Sequence, residues 1–121
     1  MVLVDTSVWI DHLRTGSRRL IEHLQQDRIL GHPWVTGALA LGNLSQRSEI
    51  LILLSSLPQA NLATPDEVLS LIDSESLHGL GIGYVDAQLI AATRLTPGAT
   101  LWTRDKRLAA TAERLGIGNR T

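Results

Sequence analysis

The sequence predicts an α/β fold, with helices packed on a mostly parallel sheet of about four to five short strands, in a single domain over residues 1–121. Three observations predict it. Short apolar runs that read as buried strands alternate with segments of helical periodicity. Gly and Pro mark the boundaries without clustering into a linker, and no repeat or low-complexity tract interrupts the pattern. A chain of 121 residues with 44% hydrophobic content can bury one core but not two.

The first strand is Val2 to Val4, followed by a helix over Ser7 to Leu13 with Val8, Ile10 and Leu13 among its apolar positions. Thr15-Gly16-Ser17 breaks it. A second helix covers about Ser17 to Gln26, Ile29-Leu30 supplies a short strand, and Gly31-His32-Pro33 reads as a turn. From Val35 to Leu44 the chain is almost wholly apolar or small. Ser45 to Leu57 follows with Ile50, Leu51, Leu53, Leu54 and Leu57 at helical spacing, so the whole region reads as core helix ended by Pro58. Ala60 to Ala63 fits another strand. Thr64-Pro65-Asp66-Glu67 is a capping box with proline at the first helical position, which explains both acids as helix-start residues. That helix runs to about Ser74. Gly79 to Gly83 is a loop, Tyr84 to Arg94 a buried helix, Thr100 to Thr103 a strand, and Asp105 to Leu115 a last amphipathic helix.

Composition excludes several classes. No run approaches the roughly 18 apolar residues of a bilayer span, and Met1 leads into a strand pattern rather than a signal segment, so a cytoplasmic protein without membrane association is expected. The absence of cysteine removes disulfides and thiolate metal sites, leaving oxygen and imidazole as ligands. A formal charge of −1 gives no global nucleic-acid signature. Lys106 is the lone lysine among 11 basic residues; the arginine bias suits forked phosphate contacts and equally follows from genomic base composition.

Three acids stand where folding alone would not place them. Asp5 closes the first strand, Asp86 interrupts an apolar helix, and Asp105 follows the strand ending at Thr103. Asp5 and Asp105 lie just past the carboxyl ends of predicted strands, the edge where open α/β sheets hold ligands. Like charges about 4 Å apart repel by roughly 4 kcal/mol at an effective dielectric near 20. A converged trio therefore needs a cation, a shared proton or an arginine, and among cations a hard divalent one, Mg2+ or Mn2+, suits all-oxygen ligands. Asp5 and Asp105 can each serve instead as the N-cap of the helix that follows. Asp86 resists that reading, being the lone charge between Gly79 and Thr93.

Four blocks then fall into a recognisable order: Val2 to Leu13, Gly31 to Leu44, Gly81 to Ala87, and Leu101 to Leu108. Together they resemble PIN-domain ribonucleases of the VapC toxin type, over Val2 to about Gly116. The resemblance implies a PIN-like α/β/α sandwich and the toxin of a type II toxin-antitoxin pair that cleaves RNA with Mg2+ or Mn2+. It also implies a cognate antitoxin, a homodimer, and operator DNA contacted only indirectly through the antitoxin. Residue by residue, the family's metal-binding aspartates match Asp5, Asp86 and Asp105, and Thr103 matches a hydroxyl residue near that site. Ser7 is a further candidate for orienting waters or phosphate oxygens.

One position departs from the pattern. Where the family reads Gly-Glu-Leu-Ala-Leu-Gly, this chain has Gly37-Ala38-Leu39-Ala40-Leu41-Gly42. The Ala38 methyl cannot bind a cation, orient water or accept a proton, so strongly reduced or absent nuclease activity is expected. Engineered inactivation and natural decay would both leave alanine there.

For RNA contact, Arg14, Arg104, Lys106 and Arg107 can line the approach to the acids; Lys106 and Arg107 can equally be the solvated face of the last helix, and Arg104 can pair with one of the acids. Arg18-Arg19 reads as solvated. Trp9 and Trp34 read as core or subunit-contact residues, and His12 and His32 as too isolated to be ligands. A haloacid-dehalogenase-like phosphatase would need a second aspartate where Ser7 stands, and a phospho-receiver would need paired acids after the first strand. Gly79-Leu80-Gly81-Ile82-Gly83 has the wrong spacing and context for dinucleotide binding. The serious rival is a non-catalytic PIN-like binding protein that retains antitoxin, RNA or self-association.

Overall fold

A computed structural model describes residues 1–119. The chain runs β1 (Val2–Val4), α1 (Thr6–Thr15), α2 (Arg18–Gln25), β2 (Ile29–Leu30), α3 (Pro33–Ala40), α4 (Arg47–Ser56), α5 (Pro65–Ser74), α6 (Tyr84–Leu95), β3 (Thr100–Trp102) and α7 (Lys106–Arg114). The fold is the predicted α/β sandwich on a parallel sheet.

The sheet has order β2-β1-β3, with Leu3 opposite both Leu30 and Leu101. Because β1 is central and buried on both faces, it reads as an unbroken apolar run rather than an alternating one. Among the described residues there are three strands, fewer than the four to five expected. The expected strand over Ala60 to Ala63 is replaced by a single parallel bridge between Gly31 and Gln59. The reason is local: the Asn61 N–H donates to Thr96 Oγ1 and the Thr64 N–H to Glu67 Oε1, so these donors go to side chains and no ladder continues.

The expected continuous helical region from Val35 to Leu57 is two helices, separated by residues 41–46, with Gln46 at φ 54 before α4. Gly31-His32-Pro33 does more than turn: the N–H of Trp34 donates to His32 Nδ1, so His32 caps α3, with Pro33 in its first turn. The Thr64–Glu67 capping box forms as predicted, opening α5.

The core joins Leu3 and Val4 to Trp9, Leu20, Ile29, Leu39, Leu54, Leu89, Ile90, Leu101 and Leu108. Helix α6 is buried continuously from Ala87 to Thr93 and so serves as the hydrophobic axis that fixes where its first turn, with Asp86, emerges. Deleting one of these leucines costs about 2–5 kcal/mol by the usual cavity argument. No helix among the described residues is long and apolar enough to cross a membrane.

Candidate active site

Parallel pairing of β1 with β3 brings Asp5 and the Thr103-Arg104-Asp105 segment to the same sheet edge, and the Asp5 N–H donates to the Trp102 carbonyl at 2.9 Å. Asp5 is buried, and its Oδ2 accepts two hydroxyl hydrogen bonds, from Ser7 Oγ at 2.7 Å and Thr103 Oγ1 at 2.8 Å. Its side chain makes no cap bond to α1, so capping does not explain it. Each hydroxyl also accepts a backbone N–H: Ser7 Oγ from Arg104 at 3.0 Å, and Thr103 Oγ1 from Asp105 at 3.0 Å. The network thus locks the end of β3 onto the end of β1.

Asp105 is a helix cap, its Oδ1 accepting from the N–H groups of Arg107 and Leu108. The capping alternative for this residue is therefore realised, and its Oδ2 is left over. Asp86 Oδ2 accepts from the Gly83 N–H at 2.9 Å, closing the first turn of α6. Burial pushes the Asp86 carboxyl above its ordinary range; the Gly83 hydrogen bond pulls it down, and the charges of Asp5 and Asp105 push it up. The three acids therefore share one electrostatic neighbourhood.

This neighbourhood is not a finished cation cage, because no three Asp, Glu or His side chains among the described residues converge tightly enough to hold a metal ion. The donor chemistry nevertheless fits a hard divalent cation. All donors are oxygen, and each carboxylate keeps a second oxygen outside any hydrogen bond among the described residues. Ala38 is exposed on α3, its methyl adding no donor.

The basic residues divide. Arg104 forms an exposed 3.4 Å ion pair with Asp11, and so pairs with none of the three acids, contrary to the expectation that it could neutralise one. Arg107 is exposed, as its solvated-face reading has it, and its side chain lies against Gly81, where a Cβ would fall 2.5 Å from its Nη1; Gly81 is also at φ +78. Its guanidinium therefore stands beside the loop that leads to Asp86. Lys106 and Arg14 are exposed.

Sequence reasoning missed two features. His32 is buried, with Nδ1 accepting from Trp34, so its neutral ring carries its proton on Nε2, which has no partner among the described residues; burial pushes its pKa down. Its place directly before a proline at a helix start was the available signal. Of the core and subunit-contact readings of Trp34, its 43% exposure removes the first, and its ring meets that of Tyr84 with centroids 5.8 Å apart, a contact the sequence did not signal; Trp9 is buried as expected.

A parallel three-stranded sheet whose strand ends gather carboxylates, steadied by hydroxyls, has the architecture of a PIN-type hydrolase. No family model matches the chain. It is, however, 50% identical over 117 residues to Ribonuclease VapC32 of Mycobacterium tuberculosis, in both strain CDC 1551 / Oshkosh and strain ATCC 25618 / H37Rv, covering 97% of this chain and 94% of each relative. The chain belongs to the VapC family of PIN-domain ribonucleases.

Proposed function

We propose that this chain is the toxin component of a type II toxin-antitoxin system, a divalent-metal-dependent endoribonuclease whose activity is abolished or strongly impaired by Ala38. The observation that carries the reading is the 50% identity to named ribonucleases, and it is supported by Asp5 and Asp105 standing at one sheet edge, close enough for their charges to raise the Asp86 carboxyl at the start of α6.

Asp5, Asp86 and Asp105 would hold Mg2+ or Mn2+. Such an ion lowers the pKa of bound water and stabilises charge on a phosphate under in-line attack. The remaining work falls to the chain's own residues. Thr103 and Ser7 fix the Asp5 carboxylate by donating to one oxygen, so the other is presented in one orientation. Asp105 is fixed by its cap bonds to α7. Arg14, Arg104, Lys106 and Arg107 would supply positive charge to draw the RNA backbone toward an otherwise repulsive acidic centre. At position 38 a carboxylate would accept a proton from the attacking water; alanine cannot.

The same family reading assigns a cognate antitoxin, a homodimer, indirect operator contact and a cytoplasmic location. Exposed Leu41, Ile52 and Leu53 on and beside α3 and α4 provide apolar surface for protein partners to cover. Ala38 itself favours a second reading, a PIN-like protein that binds antitoxin, RNA or its own copy without cleaving. Cleavage assays on this chain and its Ala38→Glu variant separate the two, since restored metal-dependent cleavage belongs only to the first.

A further inference from the structure

The sequence holds three Trp, one Tyr and no Phe. Trp9 is buried, and Trp102 lies beneath the Arg19 guanidinium, 4.1 Å from its ring centre, with the His23 ring beside it. The other two, Trp34 and Tyr84, are each 43% exposed, and they touch each other edge to face. We propose that Trp34 and Tyr84 form a stacking platform for one unpaired RNA base beside the acidic centre, an inference that rests on the ribonuclease reading above.

Both rings are held before any ligand arrives. Trp34 follows Pro33 in the first turn of α3, its backbone anchored to buried His32. The Tyr84 hydroxyl accepts from the amide of buried Gln88 at 3.1 Å. The indole N–H of Trp34 has no acceptor among the described residues, so it stays available to a base or a phosphate. Neither ring belongs to the hydrophobic core, and a stacked base would meet surfaces already ordered.

Their position points to RNA. Trp34 and Ala38 are four residues apart in α3, hence on one face, and Tyr84 shares the first turn of α6 with Asp86. The platform thus joins the two helices that carry Asp86 and the position of the missing glutamate. Arg107 lies against Gly81, in the loop leading into Tyr84, and adds the cation that single-strand grooves pair with aromatic rings. Aromatic stacking tolerates every base, so the platform grips a splayed nucleotide while selecting weakly among bases.

The test uses this chain, which Ala38 keeps from cutting the probe, in magnesium buffer with a short single-stranded oligoribonucleotide carrying 2-aminopurine. Trp34→Ala is expected to weaken binding roughly tenfold and to remove the quenching of the probe that stacking produces. Trp34→Phe should restore most of both, and an abasic site in place of the 2-aminopurine should weaken wild-type binding but add nothing to Trp34→Ala. Circular dichroism and sedimentation velocity establish fold and oligomeric state for each variant. A folded Trp34→Ala chain that binds and quenches as wild type does, or one that changes only its oligomeric state, overturns the platform and leaves the ribonuclease reading standing. Failure of the wild-type chain to bind the probe at all overturns the platform together with the RNA-binding part of that reading.

Discussion

Thr103 Oγ1 donates a 2.8 Å hydrogen bond to Asp5 Oδ2 while accepting the Asp105 N–H at 3.0 Å, so one hydroxyl orients the first acid of the site and positions the last. Replacing it with the isosteric valine leaves a buried carboxylate short of one donor and an N–H short of its acceptor. Hydrogen bonds to charged groups contribute about 1.5–3 kcal/mol, and Thr103→Val should lose about that much in urea denaturation without metal. An unchanged denaturation midpoint would show that Asp5 does not depend on this bond.

The carboxyl of Asp86 is raised first by burial, then by Asp5 and Asp105. A carboxyl raised in the folded state binds protons more tightly there than when unfolded. Its contribution is therefore favourable below the ordinary value of 3.8 and is lost as pH rises through the folded pKa. Asp86→Asn keeps an oxygen for the Gly83 N–H and removes the charge. Without metal at pH 7 its melting temperature should exceed that of wild type, with the gain shrinking as pH falls toward 4; a lower melting temperature at pH 7 would contradict this.

His32 has the opposite sign. Its pKa is lowered by burial from the ordinary 6.5, so its neutral form is favoured by folding. Stability should be full above about pH 6.5 and decline as pH falls from there toward the folded pKa. His32→Asn retains a good N-cap residue for α3 without a titrating ring. Thermal melts from pH 7.5 to 5 should show a flatter profile for the variant than for wild type, and parallel profiles would rule out His32 as the source.

Ala38 is exposed in α3, where alanine is the best helix former. In metal-free buffer, Ala38→Glu should melt at the same temperature as this chain or below it, because in the proposed site the added charge would join the acids. A clearly higher melting temperature would place position 38 away from the acids.

Much of this was legible where structure is local. The β1 run, the Thr64–Glu67 capping box and the three exceptional aspartates each announce themselves within a few residues. The strand count was not legible, because whether residues 60–63 pair depends on acceptors contributed by Thr96, far along the chain. The two hydrogen bonds of the Thr103 hydroxyl and the Trp34–Tyr84 contact likewise depend on sheet register and helix packing. The capping role of His32 could be read from its place before Pro33, but its burial needed tertiary structure.

Cleavage of structured RNA by this chain and by Ala38→Glu, with Mg2+ or Mn2+ and chelator controls, decides whether the three aspartates form a nuclease centre disabled at one position. Cleavage that appears only in the glutamate variant and disappears with chelator is the expected result. Equal cleavage by both chains, or cleavage indifferent to chelator, would contradict it.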